Sequence, residues 1–222
     1  MNRLMEDHKQ QHESRLERIY SRRASRYNLT HSLFTLCVDR YWRGIAAKLV
    51  NRRVNTLLEI GTGSGLTSAN ILNAGKAGLA VGLDLNLDML RQSRKNKVTQ
   101  GIFIPLNANA LLLPFRDNSF DAVVTMLGMG GIYSVEQAFC EILRVLKNNG
   151  RLYSIEMCTP RHGFSRFFHK RVMEKIVNWC WGFRDIDIES IIRELKIADV
   201  RLKFRRDMFL GSVYQLEARV YK

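Results

Sequence analysis

The sequence predicts an α/β fold, a mostly parallel seven-stranded sheet with helices on both faces and a C-terminal antiparallel hairpin. Three observations predict it. Short apolar runs alternate with stretches of helical periodicity between residues 56 and 157, and a glycine-rich turn joins the first run directly to a helix. The last two extended runs, by contrast, follow one another with only a turn between them. At 222 residues and 46% hydrophobic content the chain can bury one substantial core, so one structural domain is expected.

Residues 1–50 read as an N-terminal helical cap or lid, because Leu16, Ile19, Leu33, Leu36, Trp42, Ile45 and Leu49 recur near helical spacing among charges. Residues 51–222 form the main domain. Thr56–Ile60 is a buried strand that breaks into Gly61-Thr-Gly-Ser-Gly65 and continues as a helix over Leu66–Ala74. Leu79–Asp84 is a strand and Leu87–Asn96 a helix; Ile102–Leu106 is a strand followed by a loop to Asn118. Phe120–Leu127 is an apolar strand, Val135–Leu146 a helix with Ala138, Ile142 and Val145 on its apolar face, and Gly150–Met157 a further strand. Asp187–Leu195 is helical, and Val200–Phe204 and Val213–Tyr221 are strands joined around Gly211.

The 35 Lys and Arg against 21 Asp and Glu give a net charge of +14, which attracts nucleic acid or an anionic lipid surface, or serves solubility alone. Cys37, Cys140, Cys158 and Cys180 include no C-x-x-C pair, so neither a zinc site nor a disulfide framework is expected, and no metal is expected elsewhere. Met1–Arg26 lacks the apolar core of a secretory signal, and no stretch is apolar for long enough to span a bilayer. A cytoplasmic protein is expected, one able to lie peripherally against a membrane.

The sharpest chemical signal is Glu59-Ile-Gly-Thr-Gly-Ser-Gly65, an acidic residue ending a strand and then three glycines at alternate positions. Glycine turns tightly and lets a nucleotide approach the main chain. The third glycine comes one position earlier than in G-x-G-x-x-G, and with Glu59 that spacing points away from a dinucleotide and toward S-adenosylmethionine (SAM), whose amino-acid end needs a carboxylate and carbonyls. A purely structural turn is the alternative. Asp84, ending the second strand, can accept both ribose hydroxyls; otherwise it caps the following helix, a task open also to Asn86 and Asp88. Asn109 can read the adenine amino group and a ring nitrogen with its amide, or simply build a turn.

Glu59–Gly65, Gly82-Leu-Asp-Leu-Asn-Leu-Asp-Met-Leu90, Asn109-Ala-Leu-Leu-Leu-Pro-Phe115, Asn118-Ser-Phe-Asp121 and Arg144-Val-Leu-Lys147 together resemble class I SAM-dependent methyltransferases, which implies their Rossmann-like fold. Within that class the chain is similar to the ubiquinone/menaquinone C-methyltransferase family. Ala24-Ser-Arg-Tyr-Asn28, Asp39-Arg-Tyr-Trp-Arg43, the pair Asn109-Ala110, Glu156 near Pro160, and the closing Gly211-Ser-Val-Tyr and Tyr221-Lys222 carry that likeness. It implies SAM contacts from Ser64, Asp84, Asn109, Ala110 and Met126, with S-adenosylhomocysteine as product. Tyr27, Glu59, Gly61, Thr62, Gly63, Gly65, Leu85 and Met89 complete the expected cofactor set. Two departures fall on substrate-facing parts: Gly130-Gly131 stand where the family tends to carry a polar pair, and Arg161–Asp187 is shorter than the family's tyrosine-rich lid.

The expected acceptor is a small, apolar or membrane-derived molecule, a quinone-precursor ring or a lipid head group. Methyl transfer needs mainly positioning and exclusion of water, and a phenol-like acceptor adds a use for a base, for which His31, His162 and His169 are the candidates. In Arg161–Arg184, Phe164, Phe167, Phe168, Trp179, Trp181 and Phe183 interleave with Arg166, Lys170, Arg171 and Lys175. That pattern suits a membrane interface or a substrate lid, and less well nucleic-acid stacking. An RNA methyltransferase and a SAM-binding regulatory protein without turnover stay open as alternatives, with an NAD-dependent reductase further off.

Overall fold

The structure, a computed structural model, describes residues 2–34, 38–161, 163–195, 200–208 and 211–222. Its strands are β1 (Val54–Ile60), β2 (Ala77–Asp84), β3 (Ile102–Asn107), β4 (Phe120–Met126), β5 (Leu146–Met157), β6 (Val200–Met208) and β7 (Val213–Val220). They form one seven-stranded sheet in the order β3-β2-β1-β4-β5-β7-β6. The first five strands run parallel, while β7 is antiparallel to both β5 and β6. The expected hairpin therefore enters the sheet by its second strand, and β6 is left as the edge. The exposed cations Arg201, Lys203 and Arg206 on β6 suit an edge strand, since like charges discourage pairing with another chain.

Parallel neighbours need crossover helices, and these are α4 (Leu66–Asn73), α5 (Leu87–Ser93) and α6 (Val135–Val145). Before the sheet come α1 (Asn2–Arg23), α2 (Tyr27–Phe34) and α3 (Val38–Leu49); after β5 come α7 (Gly163–Phe168), a π turn (His169–Met173), α8 (Glu174–Trp181) and α9 (Ile188–Glu194). Side chains of successive strand residues point to opposite faces, so each central strand feeds two cores. Leu58, Val81, Val123 and Leu152 pack with Ala138, Phe139 and Ile142 of α6 and Ile188 of α9. Leu57, Ala80, Val124 and Tyr153 pack on the other side with Val50 and with Ile71 and Leu72 of α4. Trp42 and Ala46 of α3 join Ile155 and Val213. Within residues 1–50, α3 thus belongs to the helical layer on the sheet, whereas α1 and α2 reach over its end.

Strand β5 starts at Leu146, four residues before the expected Gly150. Its pairing with β4 jumps from Phe120–Leu146 to Ala122–Arg151, so Lys147–Gly150, with Asn149 at φ 61°, form an irregularity inside the strand. Asn-Asn-Gly reads as a turn in the sequence, and the ladder closes on both sides of it. Arg144, at the end of α6, fastens the helix-free connection from β3 to β4. Its guanidinium donates to Glu141 at 2.7 Å, Asp117 at 2.8 Å and the carbonyls of Phe115 and Leu113 at 2.7 and 3.0 Å. Lys147 in turn holds Asp121, which accepts from the backbone N–H groups of Asn55 and Thr56 at the start of β1. The motifs Asn118–Asp121 and Arg144–Lys147 therefore fasten the helix-free connection from β3 to β4.

Candidate active site

The strand order reverses between β1 and β4, and in open α/β sheets the crevice beyond the carboxyl ends of strands at such a point is where ligands bind. A cavity of about 350 Å³ lies there. Its floor is the turn after β1, its sides are the ends of β2 and β4 and the loop after β3, and its roof is α1, α2 and the segment around Phe183.

Tyr27, Glu59, Gly61, Thr62, Gly63, Ser64, Asp84, Leu85, Met89, Asn109, Ala110 and Met126 all line this cavity. Gly65 does not. It is the left-handed N-cap of α4 at φ 72°, and an added Cβ would lie 2.7 Å from Ser93 Cβ, so its smallness serves the packing of α4 on α5. Gly61, at φ 67°, lies so close to Gly128 that a Cβ would meet its Cα at 2.9 Å. The turns after β1 and β4 touch backbone to backbone at that point.

Glu59 is buried, and its Oε2 accepts from the Thr62 hydroxyl at 2.6 Å and from the Ser68 N–H and hydroxyl. It thereby clamps the glycine turn to the first turn of α4. Burial raises its pKa above the ordinary carboxylate value, against those hydrogen bonds and the nearby Arg43, which also lines the cavity. Asp84 spans the adjoining turns: Oδ2 accepts from Gly63 N–H at 2.7 Å and Oδ1 from Asn86 N–H at 2.9 Å, while burial raises its pKa. Asn86, not Asp84, caps α5, its side chain accepting from Met89 N–H at 2.9 Å.

The Asn109 amide lines the cavity and has local partners as well. Its Oδ1 accepts from Leu111 N–H at 2.9 Å and its Nδ2 donates to Glu13 of α1 at 3.3 Å. Local turn chemistry has claimed the oxygen, because the N–H two residues on is its nearest donor. Of the candidate bases, His31 lines the cavity, stacked on Tyr27 at 5.3 Å and edge-on to Trp181 at 5.2 Å. His169 does not reach it. The ring is buried under the lid, with Nδ1 at 3.0 Å from Ser212 Oγ and Nε2 at 2.9 Å from Asp185. His162 lies outside the described residues.

Arg43, Tyr20 and Phe183 also line the cavity and were not on the expected list. Tyr20 donates to the carbonyl of Trp181 at 2.9 Å and packs against Tyr27 and Phe183, with ring centroids 5.9 and 6.2 Å away; burial raises its pKa well above normal. Arg43 closes the motif Asp39–Arg43, so a signal for it existed. Phe183 falls in the aromatic and basic segment that reads as an interface or lid, so it too carried a signal, whereas no local pattern marks Tyr20, which reaches the cavity through the packing of α1. Among the described residues, no group of three or more His, Cys, Asp or Glu side chains is arranged to hold a metal.

Residues 7–178 match the ubiE/COQ5 methyltransferase family. The chain belongs to that family. The demethylmenaquinone methyltransferase of Roseiflexus castenholzii is 34% identical over 164 residues, covering 73% of this chain and 68% of the relative. The Streptomyces avermitilis demethylmenaquinone methyltransferase is 36% identical over 139 residues, 62% and 58% of the two chains. Two solved structures share the fold. A SAM-dependent methyltransferase from Thermotoga maritima has a TM-score of 0.64 at 18% identity, covering 93% of this chain and 100% of that one. The geranyl diphosphate C-methyltransferase of Streptomyces coelicolor A3(2) has a TM-score of 0.66 at 15% identity, covering 82% and 79%. This chain is accordingly a SAM-dependent methyltransferase of Rossmann-like fold.

In this methyltransferase Gly130-Gly131 and the segment around Phe183 meet directly. Gly130 accepts from the Arg184 N–H at 3.1 Å, and a Cβ on Gly130 would lie 2.6 Å from the Arg184 carbonyl oxygen. A Cβ on Gly131 would come within 3.2 Å of the Phe183 ring. The Arg184 guanidinium donates to the carbonyls of Ile132 and Tyr133 at 2.9 and 2.8 Å. The glycine pair leaves room for the segment after α8 to lie directly on the loop after β4, which places Phe183 in the cavity wall.

That loop is also held from below. Glu156, 1% exposed near the end of β5, accepts from the N–H groups of Gly128 and Met129 at 3.3 Å, and burial pushes its pKa up to about 7. A carboxyl whose pKa is raised on folding costs stability when ionised, and the cost is relieved as pH falls from about 7 toward the ordinary value of 4.5. Glu156→Gln is therefore expected to stabilise the methyltransferase by up to about 3 kcal/mol at pH 8, with the gain vanishing near pH 5. Urea denaturation at the two pH values checks this, and an equal gain at both contradicts it.

Proposed function

We propose that the methyltransferase transfers the methyl group of SAM to a ring acceptor of the quinone-precursor type. The observation that carries this reading is an apolar and aromatic corner of the cavity, formed by Leu16, Tyr20, Tyr27, Ile132 and Phe183, beside the charged and hydrogen-bonding groups at the ends of β1 and β2; Gln10, Glu13, Ser14 and Glu17 make the rest of the α1 wall polar. The cradle suits SAM. Asp84 offers a carboxylate to the ribose diol, Leu85 and Met89 flank it with apolar surface, and Glu59 and Arg43 present opposite charges to an amino-acid end.

Bound SAM supplies an electrophilic methyl group. The chain's own residues position the acceptor and exclude water: Leu16, Tyr20, Tyr27, Ile132 and Phe183 form an apolar surround for a ring. His31, buried beside Tyr27, is the base we assign to a phenolic proton. The relatives' naming as demethylmenaquinone methyltransferases favours a naphthoquinol over a lipid head group or RNA.

The test is incubation of purified protein and SAM with a short-chain demethylnaphthoquinol, a benzoquinol, a phospholipid dispersion and total RNA in parallel. S-adenosylhomocysteine and a singly methylated quinol are expected together. Transfer to RNA or lipid alone, or SAM binding without transfer to either quinol, sinks the proposal.

A further inference from the structure

The helix pair after β5 carries a surface that methyl transfer does not use. From α7 through the π turn to α8, Phe164, Phe167 and Trp179 are exposed at 80%, 65% and 77%, joined by Phe168. The inner side of the same helices is buried at His169, Val177 and Trp181. Apolar surface on this scale on the outward side is unusual for side chains meant to remain in water.

The cations lie on that side too. A shallow groove is lined by Arg166, Lys170, Arg171 and Lys175 together with Gly163 and Phe167. Their spacing of four, one and four residues keeps them on one helical face. Glu174 is the single acidic residue between Gly163 and Trp181, and the whole chain carries +14. Aromatic rings beside a concentrated positive field complement the interface of an anionic bilayer, where rings sit at head-group depth and cations meet lipid phosphates. A protein partner of the same face needs no such density of cations, and RNA binding needs a stacking platform, whereas Phe164 and Phe168 are packed on each other with centroids 6.5 Å apart.

We infer that residues 163–181 dock the protein on an anionic lipid surface by inserting Phe164, Phe167 and Trp179 between head groups, with Arg166, Lys170, Arg171 and Lys175 on the phosphates. Among the described residues no helix is long and apolar enough to cross a membrane, so the contact is peripheral. The same helix ends at Trp181, packed against Tyr20, Tyr27 and His31, two residues before Phe183 in the cavity wall. Docking therefore brings the cavity roof to the bilayer, where apolar molecules reside.

Flotation of the full chain with phosphatidylcholine vesicles, with and without phosphatidylglycerol, tests the inference. Binding is expected only with the anionic lipid, and is expected to weaken with salt. Lys170→Glu/Arg171→Glu and, separately, Phe167→Ser/Trp179→Ser are each expected to lower vesicle partition about tenfold or more, with SAM affinity unchanged as proof of folding. Trp42 and Trp181 are buried, so a blue shift of emission on vesicle addition that Trp179→Phe abolishes reports insertion of that ring. Equal flotation of wild type and both double variants overturns the inference, as does wild type that fails to float. So does a dimer in solution that the Phe167→Ser/Trp179→Ser change splits, or loss of RNA binding, without loss of vesicle binding, in the charge-reversed variant.

Discussion

Asp84→Ala is expected to weaken SAM binding by about 10- to 150-fold, the equivalent of roughly 1.5–3 kcal/mol for hydrogen bonds to a charged group. The loss has two sources. The carboxylate offered to the ribose disappears, and Gly63 N–H and Asn86 N–H lose the acceptor that sets the turns on either side of it. Global folding is expected to survive, because burial already disfavours the ionised carboxylate and its removal relieves that cost. Asp84→Asn, which keeps the shape and one acceptor oxygen, separates the two sources by retaining part of the affinity. Titration calorimetry of both variants with SAM and S-adenosylhomocysteine checks the expectation; a change under about threefold for Asp84→Ala removes Asp84 from the cofactor set.

The larger effect on stability is expected at Gly61. An alanine there must hold a left-handed conformation, at about 1–2 kcal/mol, and must push its Cβ against Gly128 Cα, an overpacking of about 1–3 kcal/mol. A total loss near 2–5 kcal/mol is expected in urea denaturation, with the cavity floor displaced and SAM affinity reduced in the same variant. Gly44 is the matched control. It lies inside α3 with nothing within 4 Å of an added Cβ, so Gly44→Ala is expected to leave stability unchanged or raise it by up to about 1 kcal/mol. Similar losses at both positions refute the close-approach account of Gly61.

Much of this architecture could be read in the chain because its signals are local. The run Thr56–Ile60 is apolar on both sides, as a central parallel strand must be, and its glycines follow at once, so strand, turn and cofactor floor share one short segment. The capping by Asn86 was legible for the same reason, since it acts within three residues of itself, whereas the reach of Asp84 to Gly63, 21 residues away, was not. For Asn109 two uses of one amide look alike in sequence, and only geometry shows that Leu111 N–H takes one lone pair of the oxygen. The roof was less legible still. Tyr20 of α1, Arg43 of α3 and Phe183 of the segment after α8 converge there, and helical periodicity reports that a side faces inward without saying what it faces. The lone histidines show the same limit: His31 and His169 are both buried, and tertiary packing alone puts the first in the cavity and the second beneath the lid.

The connection from β3 to β4 contains no helix, yet one guanidinium ties two of its carbonyls and the Asp117 carboxylate to α6. Ordering a loop residue costs about 1–2 kcal/mol of backbone entropy, and a loop left free until its ligand arrives charges that cost to binding. Here Arg144 settles it during folding. The cavity wall at Asn109–Leu111 is thus in shape before any ligand arrives, and a ligand held as proposed would not have the affinity of its contacts diluted by the work of organising them.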